Sequence, residues 1–185
     1  TFPIPIRYGP GRLSEIGAAC KQFNITNPLI VTDRGSRDLP FIDLVGSVCH
    51  SNGLPNAVFS DVSPNPTDED IARGKTVFNN GGHDGVIAIG GGSGMDAGKA
   101  ISLVGRNDAD LWDFDYDQPE SPDLSPGSFV PLICVPTTAG TGAETESTAM
   151  LTDTVQGVKR CIWHTTQKPL LAILDPDVTA NLPAD

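Results

Sequence analysis

The sequence predicts an α/β domain with a Rossmann-like parallel sheet and flanking helices. Short, wholly apolar runs alternate with stretches of helical periodicity, as in stacked βα units. Two of those runs, residues 86–89 and 129–135, end in loops of glycine and hydroxyl residues, Gly90-Gly91-Gly92-Ser93 and Pro136-Thr137-Thr138-Ala139-Gly140-Thr141-Gly142. In an open parallel sheet that edge is where ligands bind.

Taken in order, Leu13, Ile16, Gly17 and Cys20 repeat at i, i+3, i+4, i+7 and mark one face of a first helix. A buried strand is expected over residues 28–32, closing on Asp33-Arg34-Gly35. Ser36 stands where it can cap a second helix with Leu39, Ile42, Gly46 and Cys49 inward. A strand over residues 56–59 precedes the turn-rich Asp61-Val62-Ser63-Pro64-Asn65-Pro66. Thr67-Asp68-Glu69-Asp70 reads as a capping box opening a third helix, with Ile71, Gly74 and Phe78 inward. Asn79-Asn80-Gly81-Gly82 stops that helix, because Asn and Gly tolerate the left-handed conformation of a helix end. The strand at 86–89 leads through the glycine loop into a fourth helix carrying Ala97, Ala100, Ile101 and Val104 on one face. Residues 107–128, acidic and rich in proline, read as a surface excursion. After the strand at 129–135, strand-like pieces recur near 149–151, 159–163 and 170–174.

Composition narrows the function. The chain has 185 residues with 12 Lys+Arg against 23 Asp+Glu, a formal net charge of −11. That length supports one well-formed core, so residues 1–185 are expected to form one domain. The acidic balance argues against nucleic acid as a partner, since a phosphate footprint needs clustered Lys and Arg. No uncharged apolar run approaches the roughly 18 residues of a membrane span. The start, Thr1-Phe2-Pro3-Ile4-Pro5, lacks the features of a signal peptide. A cytoplasmic protein with no membrane or nucleic-acid partner is therefore expected. Cys20, Cys49, Cys134 and Cys161 are too widely spaced for a zinc ribbon or redox dithiol and read as reduced thiols, mostly in the core. His50, His83 and His164 form no HxxxH or HExxH.

The glycine loop carries the strongest chemistry. Missing side chains let backbone approach an anion, and the following helix N-terminus offers free N–H groups and about half a positive charge. Gly92-x-Gly94-x-x-Ala97 matches the loose dinucleotide fingerprint. A P-loop is excluded, because Ser93 replaces its first glycine and Ala100 its Mg²⁺-binding hydroxyl. A serine-hydrolase elbow fails at Met95. Asp33, closing a buried strand, can accept hydrogen bonds from a ribose 2′-hydroxyl, which favours NAD over NADP. Arg34 beside it could instead receive a 2′-phosphate, and Asp33 alone could be a helix-capping acid. Thr137, Thr138 and Thr141 offer hydroxyls to phosphate or ribose. Asp96 and Lys99 read as an exposed ion pair, and Asp108, Asp110, Asp113, Asp115 and Asp117 as a solvated face.

Together, Val31-Thr32-Asp33-Arg34-Gly35, Ser63-Pro64-Asn65-Pro66-Thr67, Gly90-Gly91-Gly92-Ser93-x-x-Asp96-x-x-Lys99 and Pro136-Thr137-Thr138-Ala139-Gly140-Thr141-Gly142-Ala143-Glu144 resemble the nucleotide-binding domain of the iron-containing (group III) alcohol dehydrogenases, from about Tyr8 onward. The resemblance implies NAD(P) bound in a cleft facing a second, all-helical domain. It puts Asp33 at the adenosine ribose, Asn65 on the adenylate side, and Gly90, Gly91, Gly92 and Ser93 at the pyrophosphate. It puts Asp96 towards the nicotinamide, Thr137, Thr138 and Thr141 on the nucleotide, and Lys159 within reach of ribose or pyrophosphate. NADP-preferring members tend to carry Gly or Ser in place of Asp33, so NAD is expected. The family's divalent metal, iron or zinc, is held by one Asp and three His of the helical domain. None of this chain's histidines matches that set, and Asp175, Asp177 and Asp185 are not expected to be ligands. The resemblance thus implies the cofactor half of an enzyme interconverting an alcohol with an aldehyde or ketone, inactive as an isolated chain. A small alcohol or carbonyl substrate and a homodimer are the implied partners. Polyol oxidation, maleylacetate reduction, dehydroquinate synthesis and a non-catalytic dinucleotide sensor are the alternatives.

Overall fold

The computed structural model describes residues 4–180; Asp185 lies outside them. Six strands, β1 (Ile6–Tyr8), β2 (Pro28–Val31), β3 (Ala57–Phe59), β4 (Gly85–Gly90), β5 (Leu132–Pro136) and β8 (Leu171–Leu174), form one sheet in the order β1-β8-β5-β4-β2-β3. Every neighbouring pair is parallel. Two further strands, β6 (Thr148–Asp153) and β7 (Val158–Trp163), pair antiparallel as a separate hairpin. The predicted Rossmann-like α/β class is the observed one.

Strand alternation divides the interior into two layers. Leu29, Val31, Val86, Ala88, Leu132 and Cys134 point to one face, under α3 (Asp68–Asn80) and α4 (Gly92–Val104). Ile30, Ile87, Ile89, Ile133 and Val135 point to the other, under α1 (Ile16–Gln22) and α2 (Pro40–Ser51). Strands covered on both faces read as continuous apolar runs, which is why they stood out in the sequence. The capping box is present: Thr67 Oγ1 accepts from the Asp70 amide at 3.1 Å, and Asp70 Oδ2 accepts from the Thr67 amide at 3.1 Å.

Four local readings differ from the sequence expectation. Strand β1 gives no apolar signal, because Ile6 and Tyr8 on this edge strand are exposed. Ser36 does not cap α2, which begins at Pro40 with proline's preset φ at its first turn. Instead Ser36 donates from its amide and hydroxyl to Asp33, both at 3.0 Å. The inward face of α2 is Ile42, Val45 and Cys49, while Leu39 is exposed. The acidic excursion is partly anchored: Phe114 is buried, and Asp115 pairs with Arg160, whose guanidinium lies 4.4 Å from the Trp112 ring centroid.

Helix α4 is nearly enclosed, with the sheet beneath it and the hairpin above. It approaches β4 closely at Gly98, where an added Cβ would stand 2.4 Å from the Ala88 Cβ. Gly98→Ala should therefore lower the unfolding free energy by about 1–3 kcal/mol, the usual cost of overpacking. Urea denaturation reads this directly, and an unchanged midpoint would contradict the packing described.

Candidate functional site

Sheet register brings the carboxyl ends of three strands to one level. Val31 pairs with Ala88, and Ala88 with Cys134. Two residues on in each strand, Asp33, Gly90 and Pro136 stand side by side. The chain runs outward from β2 to β3, then crosses back over β2 to β4. The gap between β2 and β4 is thus the topological switch point, where open α/β sheets place their ligands.

Backbone and side chains converge there. Gly90 adopts φ +147°, a conformation L side chains rarely take, and an added Cβ would lie 3.2 Å from Asp33 Oδ2. Thr137 donates its amide to the Gly90 carbonyl at 2.9 Å, joining the second loop to the first. A Cβ on Gly91 would lie 3.3 Å from Thr138 Oγ1, and one on Gly92 3.7 Å from Thr141 Cγ2. The N-terminus of α4 begins inside this cradle with no side-chain cap on its amides. Ser93 donates its hydroxyl to the Pro64 carbonyl, which draws the Asn65 loop to the rim, with Asn65 exposed. Thr32 Oγ1, buried beneath Gly90, has no hydrogen-bond partner among the described residues. Uncapped helix amides, a side-chain-free cradle and an unsatisfied hydroxyl suit a phosphate-bearing ligand.

Beside the cradle opens a cavity of about 570 Å³ that Asp33, Gly91, Thr137 and Thr138 share with Leu39, Phe41, Leu44 and Val178. Leu39 and Leu44 are exposed in it, an apolar wall at the end of a polar cradle. The opposite wall is fixed by Asp175, whose buried carboxylate accepts from the amides of Gly11 at 3.1 Å, Leu13 at 2.8 Å and Asp177 at 3.0 Å. Periodicity and motif matching did not reveal this wall, because its residues come from three distant segments.

A second group lies one helical turn further along α4. Asp96 is half-buried, and burial is the main reason its carboxyl is pushed up to about 6, against the opposing pull of Lys99, the Met150 amide and Lys159. Lys159 is exposed on β7. Lys99 corrects the sequence reading: it is fully buried, donates to the Thr148 carbonyl at 2.9 Å, and burial pushes its ammonium below the usual lysine range. The hairpin covers the face of α4 that spacing alone had assigned to solvent. The eleven sequence candidates therefore divide. Asp33, Gly90, Gly91, Gly92, Ser93, Thr137 and Thr138 meet at the switch point, with Asn65 and Thr141 at its margins. Asp96 and Lys159 stand on the hairpin side.

No group of three or more His, Cys, Asp or Glu able to hold a metal occurs among the described residues. His83 Nδ1 contacts the Asn27 carbonyl at 3.1 Å, and His164 Nε2 the Pro122 carbonyl at 3.2 Å. Asp175 is occupied by backbone amides.

Residues 3–176 match the model of the iron-containing alcohol dehydrogenases, and the chain belongs to that family. It is 34% identical to the NAD-dependent methanol dehydrogenase of Bacillus methanolicus over 177 residues, which cover 95% of this chain and 45% of that protein. The crystal structure of 1,3-propanediol oxidoreductase superposes with a TM-score of 0.91 at 31% identity, covering 98% of this chain and 46% of that one. Sulfoacetaldehyde reductase from Bifidobacterium kashiwanohense, solved in complex with NAD+, gives 0.88 at 30% identity, covering 99% and 47%. The chain thus spans under half the length of these relatives. The described residues do not fit the metal of the family's name.

The raised Asp96 carboxyl has a pH consequence. Its folded value of about 6 lies above the ordinary 3.8, so ionisation is disfavoured by folding. Stability from this group is fully present below the unfolded value and is lost as pH rises through the folded one. Asp96→Asn should therefore stabilise the protein more at pH 8 than at pH 5, read from urea midpoints. An equal gain at both would contradict the burial of a charge there.

Proposed function

We propose that this chain is the NAD-binding part of an oxidoreductase that interconverts an alcohol with an aldehyde or ketone. The observation that carries this reading is the convergence of Asp33, Gly90, Gly91 and Thr138 at the switch point, where a Cβ on Gly90 would stand 3.2 Å from Asp33 Oδ2 and one on Gly91 3.3 Å from Thr138 Oγ1. Bound NAD supplies a nicotinamide that accepts or donates hydride. The chain's own residues bind and orient it. Gly90, Gly91, Gly92 and Ser93, with the amides opening α4, would hold the pyrophosphate, and Thr137, Thr138 and Thr141 would donate hydroxyls. Asp33 would accept from the adenosine ribose, with Asn65 on the same side, and the apolar wall of Leu39, Phe41, Leu44 and Val178 suits an adenine ring. Asp96 would lie towards the nicotinamide, and Lys159 would reach the ribose or pyrophosphate.

The relatives named as an NAD-dependent methanol dehydrogenase and a 1,3-propanediol oxidoreductase support a small alcohol or its carbonyl product as substrate. A homodimer is the assembly we propose. No helix among the described residues is long and apolar enough to cross a membrane. The four cysteines are free thiols, three of them buried, which supports a reducing compartment such as the cytoplasm.

Gly91 allows a clean test, because its φ of −78° and ψ of −166° suit any residue. Gly91→Val should fill the cradle without straining the backbone and weaken NADH binding at least about tenfold by calorimetry, a loss of roughly 1.4 kcal/mol. Undiminished affinity in this variant, or no NADH binding by the unaltered chain, would overturn the reading.

A further inference from the structure

The arginine beside Asp33 could itself have received a 2′-phosphate, so the question is what keeps it from doing so. Arg34 donates from Nε at 2.9 Å and from Nη2 at 2.5 Å to a single oxygen, Oδ1 of Asp61. Its remaining terminal nitrogen reaches Ser63 Oγ at 3.5 Å. Register explains the meeting: Val31 pairs with Phe59, so Asp61 follows β3 at the level where Asp33 follows β2.

Isolated surface ion pairs restrain little, but this one is tethered. Asp61 Oδ2 also accepts from Arg73 Nε at 2.7 Å. Arg73 in turn pairs with Asp70, whose side chain is 2% exposed and is held by the amides of Ser63 and Thr67. The chain Arg34–Asp61–Arg73–Asp70 therefore runs from the site into the capping box of α3. Between Asp33 and the start of α4 lies a smaller cavity of about 230 Å³, lined by Asp33, Arg34, Pro64, Gly91 and Ser93. It lies beside Asp33 with Arg34 in its wall.

We propose that Asp61 is a specificity-determining residue that holds Arg34 out of reach of a 2′-phosphate, so that two carboxylates rather than one set the preference for NAD over NADP. This rests on the dinucleotide-binding reading above. Asp33 acts directly, by accepting from a ribose hydroxyl and repelling a phosphate that carries roughly two negative charges. Asp61 acts through Arg34, by withholding the cation that lines the cavity and could offset that charge with forked N–H donors. Released from Asp61, Arg34 would meet the phosphate or pair with Asp33, and either outcome lowers the penalty on NADP.

The test measures NADH and NADPH affinities by calorimetry for the unaltered chain, Asp61→Asn, Arg34→Gln and the double variant. Asp61→Asn keeps the side-chain shape and should tighten NADPH by about threefold, the scale of an exposed ion pair, with NADH moving by less than about twofold. Adding Arg34→Gln should abolish that gain. Structural damage would weaken both dinucleotides together, and that parallel loss would overturn the proposal. So would a gain that survives Arg34→Gln, or unchanged NADPH affinity in Asp61→Asn. Binding of neither dinucleotide by the unaltered chain would instead overturn the dinucleotide reading, and this inference with it.

Discussion

The close seating of α4 on β4 is the constraint on which the site depends. At Gly94 an added Cβ would stand 3.1 Å from the Ile89 carbonyl, and at Gly98 2.4 Å from the Ala88 Cβ. A helix held this near its strand starts as soon as the strand ends, with only Gly91 between β4 and Gly92. Its uncapped amides therefore open directly onto the switch point. A longer connection would carry those amides away from Asp33 and Thr138, and the cradle would lose its floor. From above, the hairpin locks the same helix through the Lys99 ammonium on the Thr148 carbonyl. Burying a cation there disfavours its charged form, yet the bond joins the middle of α4 to the strand that faces Asp96.

This arrangement reconciles an acidic protein with an anionic ligand. The net charge of −11 does not need to be reversed locally, because peptide amides and hydroxyls would do the binding. Two arginines on the Asp33 side of the cleft are already engaged, Arg34 with Asp61 and Arg73 with Asp61 and Asp70.

Much of the fold was legible in the sequence because it rests on local rules. Apolar runs marked the central strands, Thr67 and Asp70 marked the start of α3, and three glycines after a strand marked the cradle. What escaped was set by tertiary contact. Lys99 looks like a surface charge until the hairpin is placed over it, and nothing in its neighbours' spacing says that it will be. The partnership of Arg34 with Asp61, 27 residues apart, follows from strand register, which the apolar pattern does not specify. Asp175 likewise finds two of its three amides more than 160 residues away. Strand β1 is an edge strand with exposed side chains and so lacks the signal that betrayed its neighbours.

The central claim is that the crevice between β2 and β4 is the ligand site. Amide chemical-shift mapping of the labelled chain during NADH titration tests it most directly. The largest shifts are expected at Asp33, Gly91, Gly92, Ser93 and Thr138, with smaller ones along the wall at Phe41 and Val178. Shifts centred instead on the groove of about 470 Å³ beside Trp112, between α3 and the acidic excursion, would contradict it.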